Sequence, residues 1–449
     1  MSKELLFKVL QNQVTERLPW VPFTGVHAGA FINADAKEVL TDEEKLVEAC
    51  LEVNRLYKPD GQPIVFDLQL EAEILGCDLL WAEDGPPSVA SHPLEETASI
   101  PCDCVIPTEK DGRMPLILSA TRRVKEKVGE NTAIYGVICG PFTLASHLRG
   151  NNIFMDMYDD ADYVKELLEF CTKVAKKMSD LFIDAGADVV AVVDPLVSQI
   201  SSDHFQEFLS EPFTDLFKYI NEKAFSSFFV CGDATRNIEV MCKTKPHSIS
   251  VDENVDIIAA KAITDKYNIV IGGNIPLTSI MLHGTQQDNM KYAVDLIDKV
   301  GEYKNFIVSP GCDMPYAIPI DNTIGITQAV LHTEEVREMV KNYTSETFDI
   351  EVDLPDYENL ERPLVEVFTL DSATCAACTY MMGAADVAKQ NYGSKIDLVE
   401  YKFTEKENIA RCMKMGVKNL PSIYINGKLS FSSIIPSKEE LENAINEVI

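Results

Sequence analysis

Long apolar runs are missing from this chain of 449 residues. No stretch approaches the roughly 18 uninterrupted apolar residues of a membrane span, so a soluble protein without a membrane partner is expected. A secretory leader is missing too. Met1 to Pro19 carries charges throughout and has neither an apolar core nor a small-residue cleavage site, and a cytoplasmic location is the expectation. Positive charge is scarce: 40 Lys and Arg stand against 71 Asp and Glu, a formal charge of −31. That field repels the phosphates that nucleic-acid binders neutralise, which excludes nucleic acid as a partner. What the chain does have is 12 cysteines and 46% hydrophobic residues. Without a secretory context those cysteines point to thiol or metal chemistry in a reducing compartment rather than to a disulfide framework. The length calls for two domains.

Eight short β-rich runs precede residue 320, with helical stretches between them: Trp20 to Val26, Pro63 to Leu68, Thr132 to Ile138, Asp188 to Val193, Ser226 to Val230, Ser248 to Val251, Asn268 to Ile271 and Asn305 to Val308. Most are rich in Val, Ile and Phe, as strands buried on both faces are. The alternation predicts an α/β fold, a (β/α)8 TIM barrel. Asp160 to Asp184 is one of the intervening helices, with apolar residues at helical spacing from Val164 to Leu181.

Polar or special residues follow the strands: His27, Asp67, Cys139-Gly140-Pro141, Asp194, Cys231-Gly232-Asp233, Asp252-Glu253, Gly272-Gly273-Asn274 and Pro310-Gly311-Cys312. In such a barrel the C-terminal rim holds the active site, because the βα loops surround one mouth while the interior is packed. Asp194 is the candidate catalytic carboxyl, and His27, Asp67 and Asn274 are candidate substrate or cofactor contacts. Cys231 and Cys312 end different strands and can meet at the mouth. A thiolate pair suits Zn²⁺, with Asp252 or Glu253 as a third ligand. The alternative is two unliganded cysteines lining the mouth. Cys102-Asp-Cys104, in a Pro-flanked loop, reads as structural.

Residues 1 to 340 resemble the uroporphyrinogen decarboxylase superfamily, and within it the corrinoid-dependent methyltransferase branch. The resemblance rests on Cys139-Gly-Pro-Phe-Thr-Leu-Ala-Ser-His-Leu-Arg-Gly150, on Gly273-Asn-Ile-Pro276 with Leu282-His-Gly284, and on Ser309-Pro-Gly-Cys-Asp-Met-Pro315 with Pro319-Ile-Asp-Asn322. Decarboxylases carry substrate-binding arginines near the first strand, whereas Val21 to Gly29 contains none. The methyltransferase branch binds zinc through His-x-Cys-Gly and Pro-Gly-Cys motifs. This chain keeps Cys231-Gly232 and Pro310-Gly311-Cys312 but has Phe229 where the histidine belongs. The resemblance therefore implies a zinc site of Cys231, Glu253 and Cys312, with His27 as another candidate ligand. It implies a corrinoid, such as methylcobalamin, supplied by a partner protein, since no Asp-x-His-x-x-Gly type motif is present. A small thiol or methyl donor is the other reactant.

Beyond residue 343 the sequence turns acidic, from Glu346 to Glu361, and residues 344–362 read as a solvated linker. A strand at Val365 to Leu370 then leads into Thr374-Cys-Ala-Ala-Cys-Thr379 and a helix. A cysteine at a helix N-terminus is stabilised as thiolate by the dipole. A second strand is expected at Lys395 to Phe403, and a hairpin after Asn419-Leu-Pro-Ser. Residues 363–449 resemble a thioredoxin-like domain, in which Cys375 attacks, Cys378 resolves and Pro421 is the proline beside the active site.

The leading expectation is a methyltransferase barrel over residues 1–343, with the fused redox domain keeping its thiols, or a thiol substrate, reduced. A tetrapyrrole decarboxylase is the second reading. A non-catalytic corrinoid- or tetrapyrrole-binding barrel with a redox-active C-terminal domain is the third.

Overall fold

A computed structural model describes residues 2–344, 351–373 and 375–449. The chain divides into two compact units, the larger drawn from the described residues up to 344 and the smaller containing the described residues from 351 to 449. In the larger unit, seven runs rich in β-branched and aromatic residues pair side by side, all parallel and in chain order. They are β1 (Gly61–Pro63), β2 (Ala133–Cys139), β3 (Val189–Val193), β4 (Phe225–Val230), β5 (Ser248–Val251), β6 (Val270–Ile275) and β7 (Phe306–Pro310). Trp20 closes the ring. It forms a parallel bridge to Val308 of β7, and its carbonyl accepts the Asp60 N–H at 2.9 Å beside β1. The carboxylate of Asp60 in turn accepts the Trp20 N–H at 2.7 Å and two N–H groups of Arg17. Eight staves thus form the expected (β/α)8 barrel.

The first two staves are shorter than their sequence suggests. Only Trp20 of the run Trp20 to Val26 enters the ladder, because Pro19 and Pro22 have no N–H to give. The chain then winds into a 3-10 helix, Gly25–Phe31, entered at Gly25 with φ +42°. Pairing in the second stave ends at Pro63, before most of the expected run. Four of the six later strands fall within a residue of their expected segments, whereas β6 starts at Val270 and runs on to Ile275, so that Gly272, Gly273 and Asn274 lie within it rather than after it, and β7 runs on to Pro310. The helix expected from Asp160 spans Ala161–Ala185, and the Asp160 carboxylate accepts the Tyr163 N–H. Val164, Leu167, Leu168, Cys171, Val174, Met178 and Leu181 are all buried on its inner face.

Side chains alternate across each strand. On β4, Phe228 points outward onto the helix rings of Phe213 and Phe217, whereas Phe229 points inward and meets Phe23 at a tilt and Phe66 edge to face. The interior is therefore a packed aromatic core, and Cys231, two residues after Phe229, sits above it at the mouth.

The smaller unit is a four-stranded mixed sheet of β8 (Leu364–Thr369), β9 (Asp397–Lys402), β10 (Ser422–Ile425) and β11 (Lys428–Ser432), in the order β9-β8-β10-β11. β8 runs parallel to β9 and antiparallel to β10. Asn426 and Gly427 join β10 to β11 with φ of 50° and 73°, the left-handed pair that a two-residue hairpin turn requires. Val365, Val367, Met381, Ile423, Leu441 and Ile445 form its core. This is the expected thioredoxin-like arrangement.

Part of the acidic segment departs from the solvated linker expected over residues 344–362. Residues 345–350 lie outside the described residues. Residues 351–362 lack helix and strand but dock on the smaller unit: Val352 is buried and its carbonyl accepts Lys414, Asp353 accepts Arg411, and the Tyr357 hydroxyl donates to Glu366. The buried Val352, the Tyr357 contact and two carbonyls that accept basic side chains hold this stretch despite its carboxylates. Among the described residues no helix is long and apolar enough to cross a membrane.

Candidate functional site

Barrel closure brings Cys231, just past β4, against Cys312, just past β7, across two intervening staves. The two are joined as a disulfide with their Cα atoms 5.7 Å apart, although 81 residues separate them in sequence. Both remain partly exposed at the mouth. The pair thus meets as expected, but as a bonded cystine rather than as two thiolates. A cystine sulfur is not a zinc ligand, and among the described residues no group of three His, Cys, Asp or Glu side chains is placed to hold a metal ion. With the bond opened, the two sulfurs are donors of the type that zinc takes. Two thiolates would stand on backbones 5.7 Å apart, and Glu253 packs directly against Gly311, beside Cys312.

The rim around the cystine is acidic. Asp252 accepts from Gly232 and from the Asn254 N–H. Glu253 accepts the Leu277 N–H at 2.6 Å. Burial, and then the neighbouring Asp252, push the Glu253 carboxyl up to about 8. Asp313, next to Cys312, is also pushed well above its ordinary value by burial, and its Oδ1 has no hydrogen-bond partner. Asn274 donates to the carbonyls of Asp252 and Val255 at 2.9 and 2.8 Å. Its contact is with the loop that carries Glu253, so it acts as a positioning residue.

Three expected site residues have other tasks. Asp194 is fully buried and caps the helix Pro141–Arg149: it accepts the N–H of Phe142 at 2.9 Å and of Thr143 at 3.0 Å, and the Thr143 hydroxyl at 2.6 Å. Burial outweighs these bonds and raises its carboxyl to about 7. Its oxygens face a helix end rather than the mouth. His27 is likewise fully buried, with Nε2 on the Tyr57 hydroxyl at 2.8 Å and Nδ1 on the Tyr316 carbonyl at 3.1 Å. Burial lowers its pKa to about 4. With both nitrogens engaged it has none left for a metal. Asp67, fully buried, pairs with Arg113 at 2.5 Å.

Arg113 was not legible from the sequence. It lies in the loop before the helix Met114–Val128, bridges Asp67 and Glu73, and stacks on Trp81 at 5.1 Å. No local pattern marks it, because its partners lie some thirty to fifty residues earlier, in the loop after β1, in the helix Leu70–Ile74 and at Trp81.

In the smaller unit, Cys375 is the N-cap of the helix Ala376–Tyr392, and its sulfur accepts the Cys378 N–H at 3.4 Å. Thr374 of the motif lies outside the described residues. Cys375 is partly exposed and Cys378 is buried. Burial, with Cys375 beside it, raises the Cys378 thiol well above its usual value. One reachable and one shielded sulfur is the asymmetry of an attacking and a resolving thiol. Pro421 stands just before β10, and its peptide bond with Leu420 is cis.

Fold and site together define a (β/α)8 barrel with paired cysteines at its mouth, followed by a thioredoxin-like Cys-x-x-Cys unit. Residues 1–332 match the uroporphyrinogen decarboxylase (URO-D) family, and the chain belongs to that family. Residues 364–446 match the thioredoxin domain. The methylcobamide:CoM methyltransferase MtbA of Methanosarcina acetivorans is 29% identical over 338 residues, covering 71% of this chain and 94% of the relative. MtaA of Methanosarcina barkeri is 26% identical over 339 residues, covering 73% and 96%. A uroporphyrinogen decarboxylase of Wolbachia pipientis wMel is 25% identical over 303 residues, covering 65% and 85%. Among solved structures, a methyltransferase from Methanosarcina mazei shares the barrel fold with a TM-score of 0.67 at 23% identity, covering 74% of this chain and 99% of that one.

Proposed function

We propose that this chain is a corrinoid-linked methyltransferase that moves a methyl group between a methylcorrinoid, carried on a partner protein, and a small thiol at the barrel mouth. The reading rests on similarity to MtbA and MtaA over nearly their whole length. The paired Cys231 and Cys312 and the lack of arginine between Val21 and Gly29 agree with it. The barrel is assigned to residues 1–343 and the redox domain to residues 363–449, with residues 351–362 packed on the latter.

In the transfer, a thiolate attacks the cobalt-bound methyl group: a sulfur–carbon bond forms, the cobalt–carbon bond breaks, and cobalt keeps the electron pair. When bound by Cys231, Glu253 and Cys312, zinc supplies a deprotonated and still nucleophilic acceptor thiol. Asn274 holds the loop that presents Glu253. The aromatic floor of Phe23, Phe66 and Phe229 keeps water out beneath the cysteines. In the redox domain, Cys375 attacks a disulfide and Cys378 resolves the mixed intermediate.

The test is incubation of the reduced protein with methylcobalamin and a panel of small thiols, followed by the absorbance of the demethylated corrinoid. Demethylation with at least one thiol, lost in Cys231→Ser and Cys312→Ser, is expected. No turnover with any thiol, together with loss of carboxylates from uroporphyrinogen, would replace this reading by the decarboxylase one.

A further inference from the structure

We infer that the Cys231–Cys312 disulfide at the barrel mouth is a substrate of the chain's own Cys375–Cys378 pair, so that the mouth presents thiols only after the C-terminal unit has reduced them. This deepens the proposed function and rests on the thiol–disulfide role given there to that unit.

The observation that carries it is the distribution of reachable sulfur. Cys50, Cys77, Cys139, Cys171, Cys242, Cys378 and Cys412 are buried. Burial pushes the thiols of Cys50, Cys77, Cys242 and Cys412 up to about 12, so they do not act as nucleophiles near neutral pH. The sulfurs open to exchange are the partly exposed cystine, the exposed Cys102 and Cys104, and Cys375. Only one of these sites holds an oxidised pair: Cys102 and Cys104 are free thiols in a 3-10 turn. The same chain therefore carries a disulfide at one site and a dithiol of donor geometry at the other.

The surroundings of the cystine narrow the choice of reductant. Asp233, Asp252, Glu253 and Asp313 flank it, on a chain of net charge −31. The chain's net negative charge slows the approach of an anionic monothiol, glutathione being the common example, relative to a neutral dithiol.

The exchange balances. The Cys375 thiolate attacks one sulfur of the cystine; a new sulfur–sulfur bond forms as the Cys231–Cys312 bond breaks, and the departing sulfur takes up a proton. Cys378 then attacks Cys375, closing the Cys375–Cys378 disulfide and releasing the second barrel thiol. The barrel pair gains two electrons and two protons, and the Cys-x-x-Cys pair loses the same. An external dithiol, small or on a reducing protein, restores Cys375 and Cys378. In the oxidised state the mouth has no thiolate ligands, and in the reduced state it has two.

The experiment uses the full-length chain, oxidised, desalted and given a limiting amount of a neutral dithiol. Alkylation of Cys231 and Cys312 is followed over time by peptide mass spectrometry in wild type, Cys375→Ser and Cys378→Ser. Serine at position 375 keeps the helix N-cap, so that variant folds as wild type does, as circular dichroism checks. Labelling about tenfold faster in wild type than in Cys375→Ser is expected. A Cys375 peptide linked to Cys231 or Cys312 is expected in Cys378→Ser, and zinc uptake by the wild type only after reduction. Equal labelling rates, or immediate labelling of Cys231 and Cys312 in oxidised protein, overturn the inference. So does trapping of Cys375 on Cys102 or Cys104 instead. Reduction of an added protein disulfide with no action on the cystine sinks this inference alone, whereas failure on both substrates sinks the redox role as well. No corrinoid is present, so the methyl-transfer reading is judged separately.

Discussion

Replacing Asp194 with alanine should destabilise the barrel far more than loss of an ordinary helix cap does. An exposed cap contributes about 1 kcal/mol. Here the carboxylate is fully buried and accepts from the N–H groups of Phe142 and Thr143 and from the Thr143 hydroxyl. Without it, these donors are stranded where water does not reach, at about 1–3 kcal/mol each, for a loss of about 4 kcal/mol when measured at about pH 4, where the group's contribution is present. With a slope of about 3 kcal/mol per molar urea, the midpoint falls by about 1 M. The assay is selective, because the chain has 2 tryptophans and both, Trp20 and Trp81, lie in the barrel. Their fluorescence follows that unit alone. The same group has a pH signature. Its folded pKa is raised to about 7 from 3.8 by burial, so its contribution is fully present below about pH 3.8 and is lost as pH rises through 7. Between those limits wild type should lose up to about 1.4 kcal/mol per pH unit from this group, and Asp194→Asn should lack that slope. A loss under about 1 kcal/mol in Asp194→Ala, or identical pH slopes in wild type and Asp194→Asn, would refute the capping account.

His27 should titrate near pH 4 in the folded protein, as followed by imidazole NMR resonances. Its folded pKa is depressed, so the stability it contributes is present above about 6.5 and is lost as pH falls through 4; a midpoint near 6.5 would mean that the imidazole is solvated. Arg113→Ala should cost about 3–5 kcal/mol, because it leaves the fully buried Asp67 unpaired. Tryptophan fluorescence in urea checks this, and Asp67→Asn in the same background should recover part of the loss. Gly25→Ala should disrupt the mouth, since a Cβ there would lie 1.9 Å from Asp313 Oδ1 on a residue with φ +42°; methyl transfer by this variant should fall at least about tenfold while the C-terminal reductase activity is unchanged.

Local pattern carried much of the architecture. The helix Ala161–Ala185 was readable because its apolar residues repeat at helical spacing, and β5 was readable to the residue because Ser248–Val251 is short and bounded by polar ends. The Cys-x-x-Cys unit was readable because strand, motif and helix follow one another within a few residues. Trp20 to Val26 misled, since its β-formers are interrupted by Pro22, whose missing N–H ends pairing. Residues 351–362 misled as well, because their charge concealed the anchors Val352 and Tyr357.

The sequence by itself determined the order of elements, the barrel class, the rim on which the cysteines stand and the nature of the C-terminal unit. These follow from periodicity, turn residues and short motifs, which act over a few residues. Only the tertiary structure decided what each rim side chain does. Cys231 meets Cys312 across 81 residues, His27 is held by Tyr57 and Tyr316, and Asp194 caps a helix that begins some fifty residues earlier. Those partners are brought together by closure of the ring and by the register of neighbouring staves. A side chain's chemistry depends on burial and on the groups it meets, and neither is encoded in the residues next to it.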